Sequence, residues 1–100
     1  MAIEITGRHV AVTENMRAYA QKRLDRLVAE FPQLDRVRVI LDVQKYLHTA
    51  EIVAHARRHI RLDARAASPD MYTSIEAVVG STLAGRFGKS SRRRLRRPFM

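Results

Sequence analysis

There is no cysteine among the 100 residues. That absence excludes a disulfide framework, thiolate zinc sites and a cysteine nucleophile, and it fits a reducing compartment. No apolar run is long enough to span a bilayer. The opening Ile3-Glu4-Ile5-Thr6 has neither the basic start nor the apolar core of a secretory signal, so a cytoplasmic protein is expected. Acidic residues are scarce: 10 Asp and Glu stand against 19 Lys and Arg, for a net charge of +9. They are missing altogether from Gly85–Met100, which carries seven cations, whereas Met1–Ala84 holds 12 cations and all 10 acids. A nearly neutral body thus ends in a block that repels itself and favours a polyanion. Nucleic acid is the first candidate. An anionic membrane fits less well, because Leu95 and Phe99 give the end of the chain too little apolar surface for a buried helical face.

What is present suffices for one domain with one modest core. Residues 2–6 alternate, with Ile3 and Ile5 on one side and Glu4 and Thr6 on the other, which predicts a half-buried strand ended by Gly7. Thr13 is placed to cap a helix, with Glu14 in its first turn. Met16, Ala20, Leu24, Leu27 and Phe31 then recur at helical spacing, and Pro32 stops the run. Three further alternating stretches follow, carried by Val37, Val39, Leu41 and Val43, then Ile52, Ala54 and Ala56, then Ile60, Leu62, Ala64 and Ala66. Their short connections, Lys45–His48 and Arg57-Arg58, predict an antiparallel meander. Ser68-Pro69-Asp70 opens a second helix with Asp70 as its cap and Met71, Ile75, Val78, Val79 and Thr82 or Leu83 as its buried stripe. Gly80, Gly85 and Gly88 each weaken that helix by about 1 kcal/mol relative to Ala. Fraying is expected between Ala84 and Gly88. The order is β-α-β-β-β-α, an α+β fold in which both helices cover one face of a four-stranded sheet. Residues 1–88 form the domain and 89–100 a basic, disordered tail.

Several groups of residues bear on function. Tyr19, Lys22, Arg23 and Arg26 share one exposed flank of the first helix, where cations supply phosphate affinity and a ring can stack on a base. The plain alternative is a solvated face with Tyr19 closing the core edge. Arg92, Arg93, Arg94, Arg96 and Arg97 present the planar donor forks that match phosphate. The uncovered sheet face carries Arg36, Arg38, His55, His59, Arg61 and Arg65 interleaved with Asp42, Glu51 and Asp63, a pattern that favours cross-strand pairing on a solvated surface over RNA contact. His48, His55 and His59, with Asp63, raise the question of a metal or a nuclease base. Surface histidines are much commoner, and there is no glycine-rich phosphate loop, nucleophile elbow or carboxylate pair. Neither an enzyme nor a cofactor is expected.

The stretch Ile3-Glu4-Ile5-Thr6-Gly7-Arg8-His9 with Thr13 beyond it, the Ala50-Glu51-Ile52 start of the third strand, and Asp70-Met71-Tyr72 followed by Ile75-Glu76 together resemble the ribosome hibernation-promoting factor family, which includes the ribosome-associated inhibitor proteins. The likeness covers about residues 1–79. It implies a fold similar to the double-stranded RNA-binding domain with an added first strand. It also implies a site on the small ribosomal subunit, in the channel of mRNA and the A- and P-site tRNAs, where binding blocks translation in resting cells. The family's long members carry a C-terminal dimerisation domain, for which this chain has no room, so the short type and a monomer are expected. In one respect the chain departs from the family. Gly80-Ser81-Thr82-Leu83-Ala84-Gly85 has no positive charge where the family's second helix bears several Lys and Arg facing rRNA. The expected RNA-binding residues are therefore Arg8, Tyr19, Lys22, Arg23 and Arg26, together with Arg86, Lys89, Arg92, Arg93, Arg94, Arg96 and Arg97. The expected partner is the small subunit and its rRNA, with no membrane and no small-molecule substrate. A general RNA-binding or RNA-chaperone module is the alternative.

Overall fold

Alternation sets the sheet. The computed structural model describes residues 2–56, 60–85 and 88–90. Strand β1 (Ala2–Arg8) pairs parallel with β2 (Leu34–Gln44), so that Ile3 lies opposite Val37 and Ile5 opposite Val39. The connection between these parallel strands is helix α1 (Glu14–Glu30). Strand β2 pairs antiparallel with β3 (Leu47–Ala56), and β3 with β4 (Ile60–Ser68). The registers place Val37, Ala54 and Leu62 side by side, and likewise Val39, Ile52 and Ala64. Because side chains alternate across a strand, these rows share one face.

That face meets the apolar stripes of both helices in one cluster. Met16, Ala20, Leu24 and Leu27 of α1 join Met71, Ile75, Val78 and Val79 of α2 (Met71–Leu83) over Val37, Val39, Leu41, Ala50, Ile52 and Ala54. Each fully buried Leu, such as Leu24 or Leu27, contributes about 1.5–3 kcal/mol by leaving water. The expected β-α-β-β-β-α order, the parallel β1–β2 pair and the core face are all present. Ile3 and Ile60 are only partly buried at its margin.

Both expected caps form. Thr13 Oγ1 accepts from the Met16 N–H at 3.1 Å, and Asp70 Oδ2 accepts from the Thr73 N–H at 2.9 Å. Helix α1 closes at Phe31, whose N–H reaches the Leu27 carbonyl before Pro32.

Three features differ from expectation. The sheet has a fifth strand, β5 (Gly88–Ser90), antiparallel to β4, so Lys89 and Ser90 belong to the sheet rather than to a tail. Backbone hydrogen bonding on an open edge does not depend on an apolar pattern, and three residues are too few to display one. Gly85 does not weaken α2 but ends it: Ala84 is the cap, and Gly85 follows at φ +79°, the left-handed position that glycine takes without strain. The β2–β3 turn is only Lys45-Tyr46, since Gln44 pairs with Leu47, and Lys45 takes φ +60° to close it. The expected Arg57-Arg58 turn and residues 91–100 of the expected tail lie outside the described residues.

Candidate nucleic-acid interface

The phase of α1, set by the Thr13 cap and the buried Met16–Leu27 stripe, turns Tyr19, Lys22, Arg23 and Arg26 to the side where α2 lies. Four residues expected on one flank therefore come together, but they do different work. Tyr19 is half-buried. Its ring stands at 87° to that of Tyr72, with centroids 5.0 Å apart. Its hydroxyl donates to Glu76 Oε1 on α2 and accepts from Arg23 Nη2 at 3.1 Å. The Arg23 guanidinium also sits 4.1 Å from the Tyr19 ring centroid and 3.6 Å from Glu76 Oε1. Arg23, expected to be exposed alongside Lys22 and Arg26, is instead only partly exposed in this joint. A carboxylate and a π-face from the same interhelix joint hold it half-buried.

The joint also tunes its acids. The hydrogen bond from Tyr19, with the nearby Arg23 charge, holds the Glu76 carboxyl below its ordinary range. The same bond, with partial burial, pushes the Tyr19 hydroxyl up. Glu76 is ionised at neutral pH, and Tyr19 keeps its proton. At the start of α2, the Thr73 N–H and hydroxyl both donate to the Asp70 carboxylate and lower it.

Lys22 and Arg26 remain exposed, and among the described residues neither has a carboxylate within ion-pair distance. They edge a groove of about 390 Å³ between the helices, lined also by Arg23, Glu76, Val79, Gly80 and Leu83. A Cβ added at Gly80 would meet nothing within 4 Å. The missing side chain is thus part of what opens the groove. Glu76 and Gly80 were not among the expected site residues. The helical stripe that marked Ile75 and Val79 as core says nothing about what stands beside it across another helix.

The remaining expected residues are spread more widely. Arg8 is exposed at the end of β1, opposite Asp42 in register, and does not line the groove. Lys89 lies in β5 at the register of Leu62. Arg86, Arg92, Arg93, Arg94, Arg96 and Arg97 lie outside the described residues. On the uncovered sheet face, Arg38 pairs with Glu4 at 3.3 Å and Arg61 with Asp63 at 3.8 Å, and the register sets Glu51 opposite Arg65. Val53 is buried on this face among Arg38 and Asp63, which alternation alone did not indicate. His55 stands across from Arg36 and Arg61, while its expected neighbour His59 lies outside the described residues. His48 belongs to a separate corner, where the buried Ser74 hydroxyl donates to the His48 carbonyl at 2.7 Å and anchors the start of α2 to β3.

Residues 3–83 match the family described as Sigma 54 modulation protein / S30EA ribosomal protein. The chain is 30% identical over 79 residues to the ribosome hibernation promoting factor of Escherichia coli, covering 79% of this chain and 82% of that one. It is 32% identical over 78 residues to the factor of the same name from Pseudomonas putida, covering 78% and 76%. Among solved structures, a ribosomal subunit interface protein from Coxiella burnetii superposes with a TM-score of 0.78 at 20% identity, covering 85% of this chain and 92% of that one. The N-terminal domain of Thermus thermophilus Protein Y gives 0.74 at 22%, covering 96% and 100%. These last two are likenesses of fold.

Proposed function

The chain belongs to the Sigma 54 modulation protein / S30EA ribosomal protein family, and from that premise we propose that it is a ribosome-associated hibernation factor, a binding protein rather than an enzyme, which occupies the mRNA and tRNA channel of the small subunit and stops translation there. The relatives' shared name supports the hibernation role. The observation that carries the contact surface is the exposed pair Lys22 and Arg26, one helical turn apart and without acidic partners among the described residues. Like charges at this spacing disfavour an isolated helix by a few tenths of a kcal/mol, and a phosphate backbone relieves that repulsion. The arginine-dense segment 92–97 adds charge suited to the same polyanion. The partner is rRNA, and the protein works as a monomer in the cytoplasm.

The test is co-sedimentation of the full chain with small subunits, with and without mRNA and tRNA. Retention that is displaced by both ligands is the expected result. Lys22→Ala with Arg26→Ala should weaken retention without lowering the melting temperature, because exposed substitutions change stability by only about ±0.5 kcal/mol. Retention indifferent to mRNA and tRNA would instead favour a general RNA-binding module, the reading to which the basic segment 92–97 also lends itself.

A further inference from the structure

The cations of the interface border a cavity with an apolar floor. Phosphate contact alone needs charge on a convex surface. A groove of about 390 Å³, apolar at its base and charged at its rim, is built for a group that is itself part flat and apolar, part anionic. Val79 and Leu83 supply the apolar floor, and Gly80, beside them on α2, leaves a gap where a side chain would stand. Lys22 and Arg26 stand on the opposite wall, on α1. Glu76 closes one side. Its Oε1 is taken by Tyr19 and Arg23, while Oε2 has no hydrogen-bond partner among the described residues.

We propose that this groove receives one unpaired nucleotide, with the base against Val79 and Leu83 over the Gly80 gap, the phosphate between Lys22 and Arg26, and an exocyclic amino group of the base donating to Glu76 Oε2. The inference rests on the RNA-binding reading above and specifies what the same surface selects. A paired base cannot enter, because both its stacking faces and its Watson–Crick edge are occupied in a duplex. Adenine, cytosine and guanine each carry an exocyclic amino donor that a carboxylate accepts, and uracil does not. Glu76 meets the requirement of an ionised acceptor, since the Tyr19 hydrogen bond keeps it deprotonated at neutral pH. Arg23 acts as a positioning residue here, because its guanidinium holds Tyr19 and Glu76 rather than the ligand.

The absence of a side chain at Gly80 gives a clean test. Gly80→Leu fills the gap, and no neighbour obstructs its Cβ. The full chain, isotope-labelled, is titrated with single-stranded hexamers of adenylate and of uridylate while the Gly80 amide and the Val79 and Leu83 methyl signals are followed. The adenylate hexamer should shift all three and bind several-fold more tightly than the uridylate hexamer. Gly80→Leu should weaken adenylate binding at least tenfold without lowering the melting temperature. Lys22→Ala with Arg26→Ala should give a comparable loss and provides a second arm should Gly80→Leu fail to fold. Unshifted groove signals, or a folded Gly80→Leu protein that binds the hexamer as tightly as the parent, would overturn the proposal. Equal affinity for the two hexamers would overturn the role of Glu76. Subunit sedimentation run in parallel separates the two readings. If the parent chain pellets with small subunits and Gly80→Leu pellets equally, the nucleotide groove is wrong and the ribosome reading stands. If the parent chain does not pellet, the ribosome reading falls, and the hexamer titration still decides the groove.

Discussion

Replacing Gly80 with alanine should make this protein more stable. Gly80 lies within α2, four residues after Glu76 and before the Ala84 cap, and its carbonyl accepts from the Ala84 N–H. It is exposed, and its backbone is ordinary helix rather than left-handed. A Cβ there meets nothing within 4 Å, so the substitution introduces no clash. What changes is the unfolded chain, which loses conformational freedom that glycine alone provides. The gain is about 0.5–1 kcal/mol. For a domain of this size, 1 kcal/mol moves the melting temperature by roughly 4–8 °C, so a rise of about 2–8 °C is expected. Thermal unfolding followed by circular dichroism, with calorimetry to confirm two-state behaviour, measures it directly. Gly7→Ala supplies the opposite sign under the same assay. Gly7 is equally exposed, yet a Cβ there would collide with the Val10 carbonyl oxygen and stand 2.9 Å from Val12 Cγ2. Main-chain oxygen cannot rotate away, so the loop after β1 must shift, at a cost on the order of 1–3 kcal/mol. A melting temperature that is unchanged or lower for Gly80→Ala, or unchanged for Gly7→Ala, would refute this account of the two sites.

Leu27→Ala should destabilise the fold by about 2.7–5 kcal/mol, measured by denaturant unfolding, because Leu27 is wholly buried at the joint of α1 with the sheet. Acidification should also destabilise it. Glu76 is held below its ordinary range by the Tyr19 hydroxyl, and Asp70 by the Thr73 N–H and hydroxyl, so the unfolded chain takes up protons first. Their contribution is complete above the unfolded carboxylate values near pH ~4 and disappears as pH falls through the lower folded values. The melting temperature should therefore be nearly flat from pH 7 to about 5 and fall below that; a rise on acidification would contradict the assignment. Deleting Ser91–Met100 removes five arginines while leaving β5 in place. Binding to small subunits should weaken, and the slope of log affinity against log salt should flatten by roughly 0.7–0.9 for each phosphate that is no longer neutralised. An unchanged slope would mean that these arginines touch no RNA.

Sequence alone determined what depends on near neighbours along the chain. The period-two and helical spacings of the apolar residues placed four strands, two helices and the face each buries, since burial is enforced at every second or every third to fourth residue. The caps at Thr13 and Asp70 were legible because a cap needs only its own first turn. Gly80 and Gly85 were legible as glycines but not as to effect. One weakens the helix and opens a groove, and the other ends the helix in a conformation that suits it. The flank of Tyr19, Lys22, Arg23 and Arg26 was visible on α1, but its division of labour was not. Tyr19 meets Glu76 across 57 positions of chain, and only the packing of α1 on α2 brings the carboxylate that holds Arg23 while leaving Lys22 and Arg26 free of acidic partners among the described residues. β5 likewise is made by the open edge of β4 rather than by its own three residues. Local patterns report the environment a residue demands. Which residue answers that demand, and what space is left between them, is decided when distant segments close on one another.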